Sequence, residues 1–277
     1  MRRLSHFLDI KSSLACLFFI LLALLAIFVP MIPSLDPNNI DLTQTLVAKP
    51  PSLTHLFGTD DLGRDLLIRS IYGARVSLLV GIISMSISLS IGTLVGLLSG
   101  YFGGRIDAII MRVVDLFMAI PTLFLILTIQ VLLSPSIYNV MIVIGLTSWM
   151  GVSRLVRAEI LSIKQRPFIS AARARGLPEL KLIFKHMLPH SLTPIIVAAM
   201  LGMGDAILVE SVLSFLGLGV QPPHASWGNM LENSLSFMRD APWMALIPGT
   251  LITLTVLSLN FIGDGIRSML DPKGHHA

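Results

Sequence analysis

Apolar residues in this chain gather into six long blocks, near residues 14–33, 76–100, 107–133, 138–160, 192–218 and 242–266. Each block is long enough to cross about 30 Å of hydrocarbon as a helix of roughly 20 residues. Without water, a spanning backbone must satisfy its own hydrogen bonds, and a helix does so within one segment. The pattern predicts an all-α polytopic membrane protein with about six transmembrane helices. Pro121 in the third block and Gly202, Gly204 and Gly217 in the fifth interrupt the apolar runs, where neighbouring helices can accommodate bends. The second block carries Ser84, Ser88, Gly92, Gly96 and Gly100 at every fourth position, a stripe of small side chains along one helix face. Such a stripe favours close helix contact, within the chain or against a sister subunit, over a solute-lining role.

Composition agrees with the blocks. Of 277 residues 54% are hydrophobic and 13% charged, and the mean hydropathy of +0.81 is too high for a soluble domain of this size. The first block follows Arg2, Arg3 and Lys11, as a secretory signal would, but it is long for a signal and no small-x-small cleavage site precedes Ser34. An uncleaved first helix is expected. The single cysteine, Cys16, lies within it and has no partner for an intrachain disulfide.

Basic residues set the expected orientation. Between the fourth and fifth blocks, Arg154, Arg157, Lys164, Arg166, Arg173, Arg175, Lys181 and Lys185 are answered in that stretch only by Glu159 and Glu179, so it should face the cytoplasm. Six spans then place both termini inside, in agreement with Arg2, Arg3 and Lys11 at one end and Arg267 and Lys273 at the other. Topology thus accounts for the pI near 9.5, and no nucleic-acid partner is needed. Asp115, Glu159, Asp205, Glu210 and Asp264 fall in or beside apolar blocks, where an unpaired carboxylate is costly, so they should face the bundle interior, water or a basic partner. Asp205 and Glu210 suggest an ion pathway, but their five-residue spacing puts them on different helix faces, and hydrogen bonding between helices is the plainer expectation.

Two polar stretches invite specific chemistry. His55-Leu-Phe-Gly-Thr-Asp-Asp-Leu-Gly-Arg-Asp65 places a histidine near three carboxylates, yet the spacing matches no recognised metal site; shaping of an outer loop is the expected role. The stretch from Arg166 to Pro189 is basic and helix-forming. Pro167 suits a first helical turn, Gly176 a position just past a helix end, and Pro178 the opening of another helix. Ser170, Ala171 and Ala172 are small enough to let a partner's surface approach closely, although an ordinary basic loop would share the same charge. No Gly-x-x-x-x-Gly-Lys-Ser/Thr loop, His-Glu-x-x-His or Gly-x-Ser-x-Gly occurs, so neither ATP binding nor common hydrolase chemistry is indicated.

Residues 170–189 resemble the EAA loop of ATP-binding-cassette importer permeases through Ala171, Ala172, Gly176, Leu188 and Pro189. Ser170 stands where that motif has Glu and His186 where it has Ile, so a role resting on the acid does not carry over. A narrower resemblance, to C-type permeases of dipeptide and oligopeptide importers, rests on His55 to Asp65, Tyr72-Gly-Ala-Arg-Val-Ser-Leu78, Phe215-Leu-Gly-Leu-Gly219, Gln221-Pro-Pro223 with Trp227-Gly228, Gly263-Asp-Gly-Ile-Arg267 and Leu270-Asp-Pro272, with Phe57 in place of a common Leu. The resemblance implies the type I importer permease fold, with an N-terminal helix and outer segment over 1–75 and a permease core over 76–277 whose cytoplasmic coupling loop spans 161–190. It further implies a non-enzymatic subunit of the bacterial inner membrane, without cofactor, forming half of a peptide pathway. Its expected partners are a homologous B-type permease, two ATPase subunits that hydrolyse ATP, an extracytoplasmic solute-binding protein and membrane lipid. Ser170, Ala171, Ala172, Gly176, Leu188 and Pro189 would form the ATPase-coupling surface. Permeases for nickel, glutathione or cationic peptides share this plan. An ion-coupled carrier using Asp205 and Glu210, or an intramembrane hydrolase, remain alternatives from other classes.

Overall fold

The computed structural model describes residues 10–40 and 47–270. Arg2, Arg3, Asp271, Pro272 and Lys273, which entered the expectations above, lie outside the described residues. The first apolar block forms α1 (Ile10–Phe28), and the second forms α2 (Leu66–Phe102). α2 starts at residue 66, ten residues before its apolar block was placed, because Asp65 caps it: Oδ1 accepts from the N–H groups of Leu67 and Ile68 at 2.8 and 3.1 Å. The charge of Arg69 hides this first turn from a hydropathy reading, and residue 75, the boundary of the N-terminal unit, falls inside the helix.

The third block is not one straight span. It divides into α3 (Gly104–Met118) and α4 (Thr122–Leu132), bent by 75° at a break containing Pro121, where the missing N–H prevents continuation of the helical ladder. α5 (Ile137–Lys164), the short α6 (Pro167–Ala174) and α7 (Glu179–Leu182) follow; then come α8 (Leu192–Phe215), α9 (Trp227–Ser234) and α10 (Trp243–Leu270). Gly202 and Gly204 do not break α8, which is continuous through both. Gly202 instead makes room for Met85, whose sulfur would lie 2.3 Å from any β-carbon added there. Gly217 lies beyond the helix, where its φ of 73° terminates it, with Leu218 N–H donating to Leu213 C=O.

Close approaches define how the spans are ordered. A β-carbon on Gly92 would meet Val152 at 2.6 Å, one on Gly96 the Ser153 carbonyl at 2.6 Å, and one on Gly100 Ile160 at 2.9 Å. Ser84 Oγ donates to the Met141 carbonyl at 2.9 Å, and Ser88 is buried on the same stripe. The partner number advances with the α2 number, so α2 and α5 run in parallel, and α3–α4 must return between them across the membrane. On α8 the order reverses: Gly81 faces Ile207, while Gly202 faces Met85. α8 is therefore antiparallel to α2. α10 is antiparallel to α8, since Gly204 faces Val256 and Gly263 faces Met200. Ser12, near the start of α1, donates to the Phe261 carbonyl near the end of α10. The described ends, Ile10 and Leu270, consequently lie on the side of the bundle that carries α6 and α7.

Candidate functional site

Five charged side chains, with Ser99 and the Tyr101 carbonyl, close the bundle on the side of α6. Asp107 in the first turn of α3 accepts from Arg157 Nε and Nη2, both at 2.5 Å, and from Ser99 Oγ of α2. Arg154 pairs with Asp115, and Lys164 Nζ donates to the Tyr101 carbonyl at 2.5 Å. Arg154 and Arg157 are thus helical residues of α5 with acidic partners in α3, where the sequence had placed them in a loop answered only by Glu159 and Glu179. A sequence stretch read in isolation cannot show acids supplied by another span.

Upon this base sits a helix–turn–helix. Pro167, whose lost N–H costs nothing at a helix start, opens α6. Gly176 ends it with φ 74°, and the N–H groups of Gly176 and Leu177 donate to the carbonyls of Arg173 and Ala172 at 2.9 and 3.3 Å. This pairing satisfies two otherwise orphaned carbonyls and turns the chain sharply, so that Pro178 can start α7. The continuation passes through a wide turn over Ile183–Met187 and a helical turn over Leu188–His190. His190 stacks on Phe168 with ring centroids 4.8 Å apart, tying the start of α6 to the approach of α8.

The six residues named for coupling do not all share one surface. Ser170, Ala171, Gly176 and Pro189 are exposed, whereas Leu188 packs partly against the core. Ala172 is 6% exposed and belongs, with the fully buried Ile169, to the cluster containing Ile160, Ile163, Leu182 and Met187. Its small side chain seats α6 on its own bundle, which corrects its placement on the docking face. Exposed Ser170, Ala171, Arg173, Ala174 and Arg175 leave an outward surface of small and basic groups.

The opposite side is held by polar packing. Trp227 is fully buried and donates from Nε1 to the Ser70 carbonyl at 3.0 Å, while Ser226 and Asn229 form a reciprocal cap on α9. Beneath them Glu210, fully buried, accepts from Ser77 Oγ at 3.1 Å and Ser214 Oγ at 2.7 Å. Asp205, by contrast, lies on the exposed face of α8, so the two carboxylates point apart. Asp60 accepts from Arg64 Nε at 2.6 Å and lies 3.3 Å from Arg69 Nε, and His55 Nδ1 lies 2.8 Å from Asp65 Oδ2. These carboxylates are committed to holding the start of α2, and among the described residues no three His, Cys, Asp or Glu side chains converge as a metal requires. Burial, reinforced by the Asp60 charge, raises the Asp61 carboxyl above its ordinary range.

Residues 92–275 match the family described as binding-protein-dependent transport system inner membrane component. The chain is 44% identical over 266 residues to the dipeptide transport system permease protein DppC of Alkalihalophilus pseudofirmus, covering 95% of this chain and 87% of that protein. It is 42% identical over 254 residues to a probable D,D-dipeptide transport system permease protein of Escherichia coli, covering 92% and 85%. An oligopeptide transport system permease protein of Bacillus subtilis is 38% identical over 254 residues, covering 92% and 83%. Among solved structures, a chain of the methionine transporter MetNI in an inward-facing form aligns with a TM-score of 0.63 at 19% identity, covering 74% of this chain and 98% of that one. An amino acid ABC transporter aligns at 0.54 and 15% identity, covering 72% and 92%. The fold is accordingly that of ABC importer permeases, and the chain belongs to the inner membrane components of binding-protein-dependent transport systems, in the branch of C-type dipeptide and oligopeptide permeases.

Proposed function

We propose that this subunit forms half of an ATP-driven import pathway for peptides in a bacterial inner membrane. It pairs with a homologous B-type permease, takes energy from two ATPase subunits and receives solute from an extracytoplasmic binding protein. The observation that carries this reading is the capped, outward-facing helix–turn–helix of α6 and α7, seated on the bundle through Ile169 and Ala172. Its exposed Ser170 and Ala171 permit close docking of an ATPase, and Gly176 fixes the angle at which the loop leaves. ATPase closure pushes α6, and the buried seat transmits that displacement to α5 and α8, so that the bundle alternates between inward and outward openings. The Asp107–Arg157 and Asp115–Arg154 pairs brace the same end of α5 and keep it moving as one body with α3.

The loop over 161–190 is cytoplasmic in this reading, as are both termini, because the described ends of α1 and α10 share its side. The peptide assignment is supported by the names of relatives at 38–44% identity. The test is uptake of radiolabelled tri-alanine by proteoliposomes holding the two permeases and the ATPases, with the binding protein supplied. Uptake should require ATP and the binding protein. Uptake driven by an ion gradient without the ATPases would contradict the proposal and favour a carrier.

A further inference from the structure

One face of α8 is continuous from end to end. Pro194, Ala198, Leu201, Asp205, Leu208, Val212 and Phe215 follow one another at three- or four-residue steps, the spacing of neighbours along a single helix face, with Val197 beside them. On the α6 side, Pro194, Val197, Ala198 and Leu201 form a wall of a cleft of about 650 Å³ whose other walls carry Glu159, Arg166, His190 and Arg267. Farther along, Leu201, Leu208, Val212 and Phe215 are exposed, and among them stands one carboxylate, Asp205. It lies 13 residues after Leu192 in a helix ending at Phe215, so it is near the middle of the membrane. Among the described residues it has no hydrogen bond or ion pair, unlike Glu210, whose oxygens accept from serines.

A lone carboxylate at this depth is disfavoured against lipid chains and is placed where water or a cation can reach it. The cleft supplies the route, because Leu201 is both a wall of the cleft and the residue one helical turn before Asp205. We infer that this face of α8 lines the solute conduit and that Asp205 receives the protonated amino group of the passing peptide. This rests on the peptide reading above. The amino group is the one cation carried by every unmodified peptide whatever its side chains. The stretch of α8 beyond the cleft, apolar apart from Asp205, needs such a sequence-independent handle. At the mouth, Arg166 and Arg267 are placed to draw the peptide carboxylate toward the α6 side, and neither has an ion-pair partner among the described residues.

The experiment places a single cysteine at 208, one turn beyond Asp205 on the same exposed face, in a Cys16→Ser background of the complete complex, and compares cationic with anionic water-soluble thiol reagents with and without tri-alanine. Asp205→Asn and Asp205→Glu are assayed for uptake in parallel. The expected result is labelling at position 208, slowed by tri-alanine, with uptake reduced about tenfold or more by Asp205→Asn and largely kept by Asp205→Glu, as loss of a charge-assisted hydrogen bond implies. No labelling by either reagent would overturn the inference, as would wild-type uptake by the Asn variant. Loss of the assembled complex in the Asn variant would also overturn it, marking Asp205 as a contact between subunits. If the wild-type complex carries no tri-alanine, the peptide reading fails separately, and the labelling still decides whether α8 faces water.

Discussion

Gly176 is where backbone conformation and the proposed coupling role meet. Nothing lies within 4 Å of a β-carbon added there, so a substitution is penalised through its φ of 74° and not through a clash. Gly176→Val should cost about 1–3 kcal/mol in a left-handed conformation and redirect α7, while Gly176→Asn, which tolerates that region, should cost less. Uptake by the two variants checks this, with Val impaired and Asn close to wild type. The helix end was legible because glycine, then proline two residues later, is a local signal. Ala171 and Ala172 were not separable in the same way. Both are small and adjacent, and only the seat formed by Ile160, Ile163 and Met187 shows that Ala172 points inward. Ala172→Arg should therefore bury an unpaired charge and lower the yield of folded subunit, a different defect from that of a blocked docking face.

Helix pairing shows the same division between local and distant information. The stripe from Ser84 to Gly100 revealed a contact face, and α5 of the same chain occupies it. Gly96→Leu would drive a side chain into the Ser153 carbonyl and Val156, where even a β-carbon would lie 2.6 and 2.7 Å away. Overpacking of this kind costs about 1–3 kcal/mol or more, and purified complex should be recovered in lower yield with a lower midpoint of thermal unfolding; wild-type yield and midpoint would remove the packing argument. The 75° bend between α3 and α4 was legible only as a possibility at Pro121. Hydropathy averages across Met118 to Thr122 and registers no interruption, since the residues that break the helix are themselves apolar. The early start of α2 escaped for the opposite reason, because Arg69 looks like a boundary until Asp60 and the Pro37 carbonyl, 3.1 Å from Nη1, are seen to hold it.

For the molecule as a whole, the directions of α2, α5, α8 and α10 follow from residue pairings, while the proposed cytoplasmic side rests on charge bias. Single cysteines at Asn38, Gln165 and Ser236 in a Cys16→Ser background should be labelled by an impermeant reagent in intact cells at the first and third positions only. Labelling at 165 would invert the assignment. In the proposed mechanism, α6 transmits ATPase closure through an exposed face containing Ala171. The most direct test is ATP turnover of the purified complex, with and without solute-loaded binding protein, for Ala171→Arg against wild type. The Ala171→Arg complex should retain an assembled permease pair whose turnover is no longer stimulated by the loaded binding protein; wild-type stimulation would show that α6 does not couple through this face.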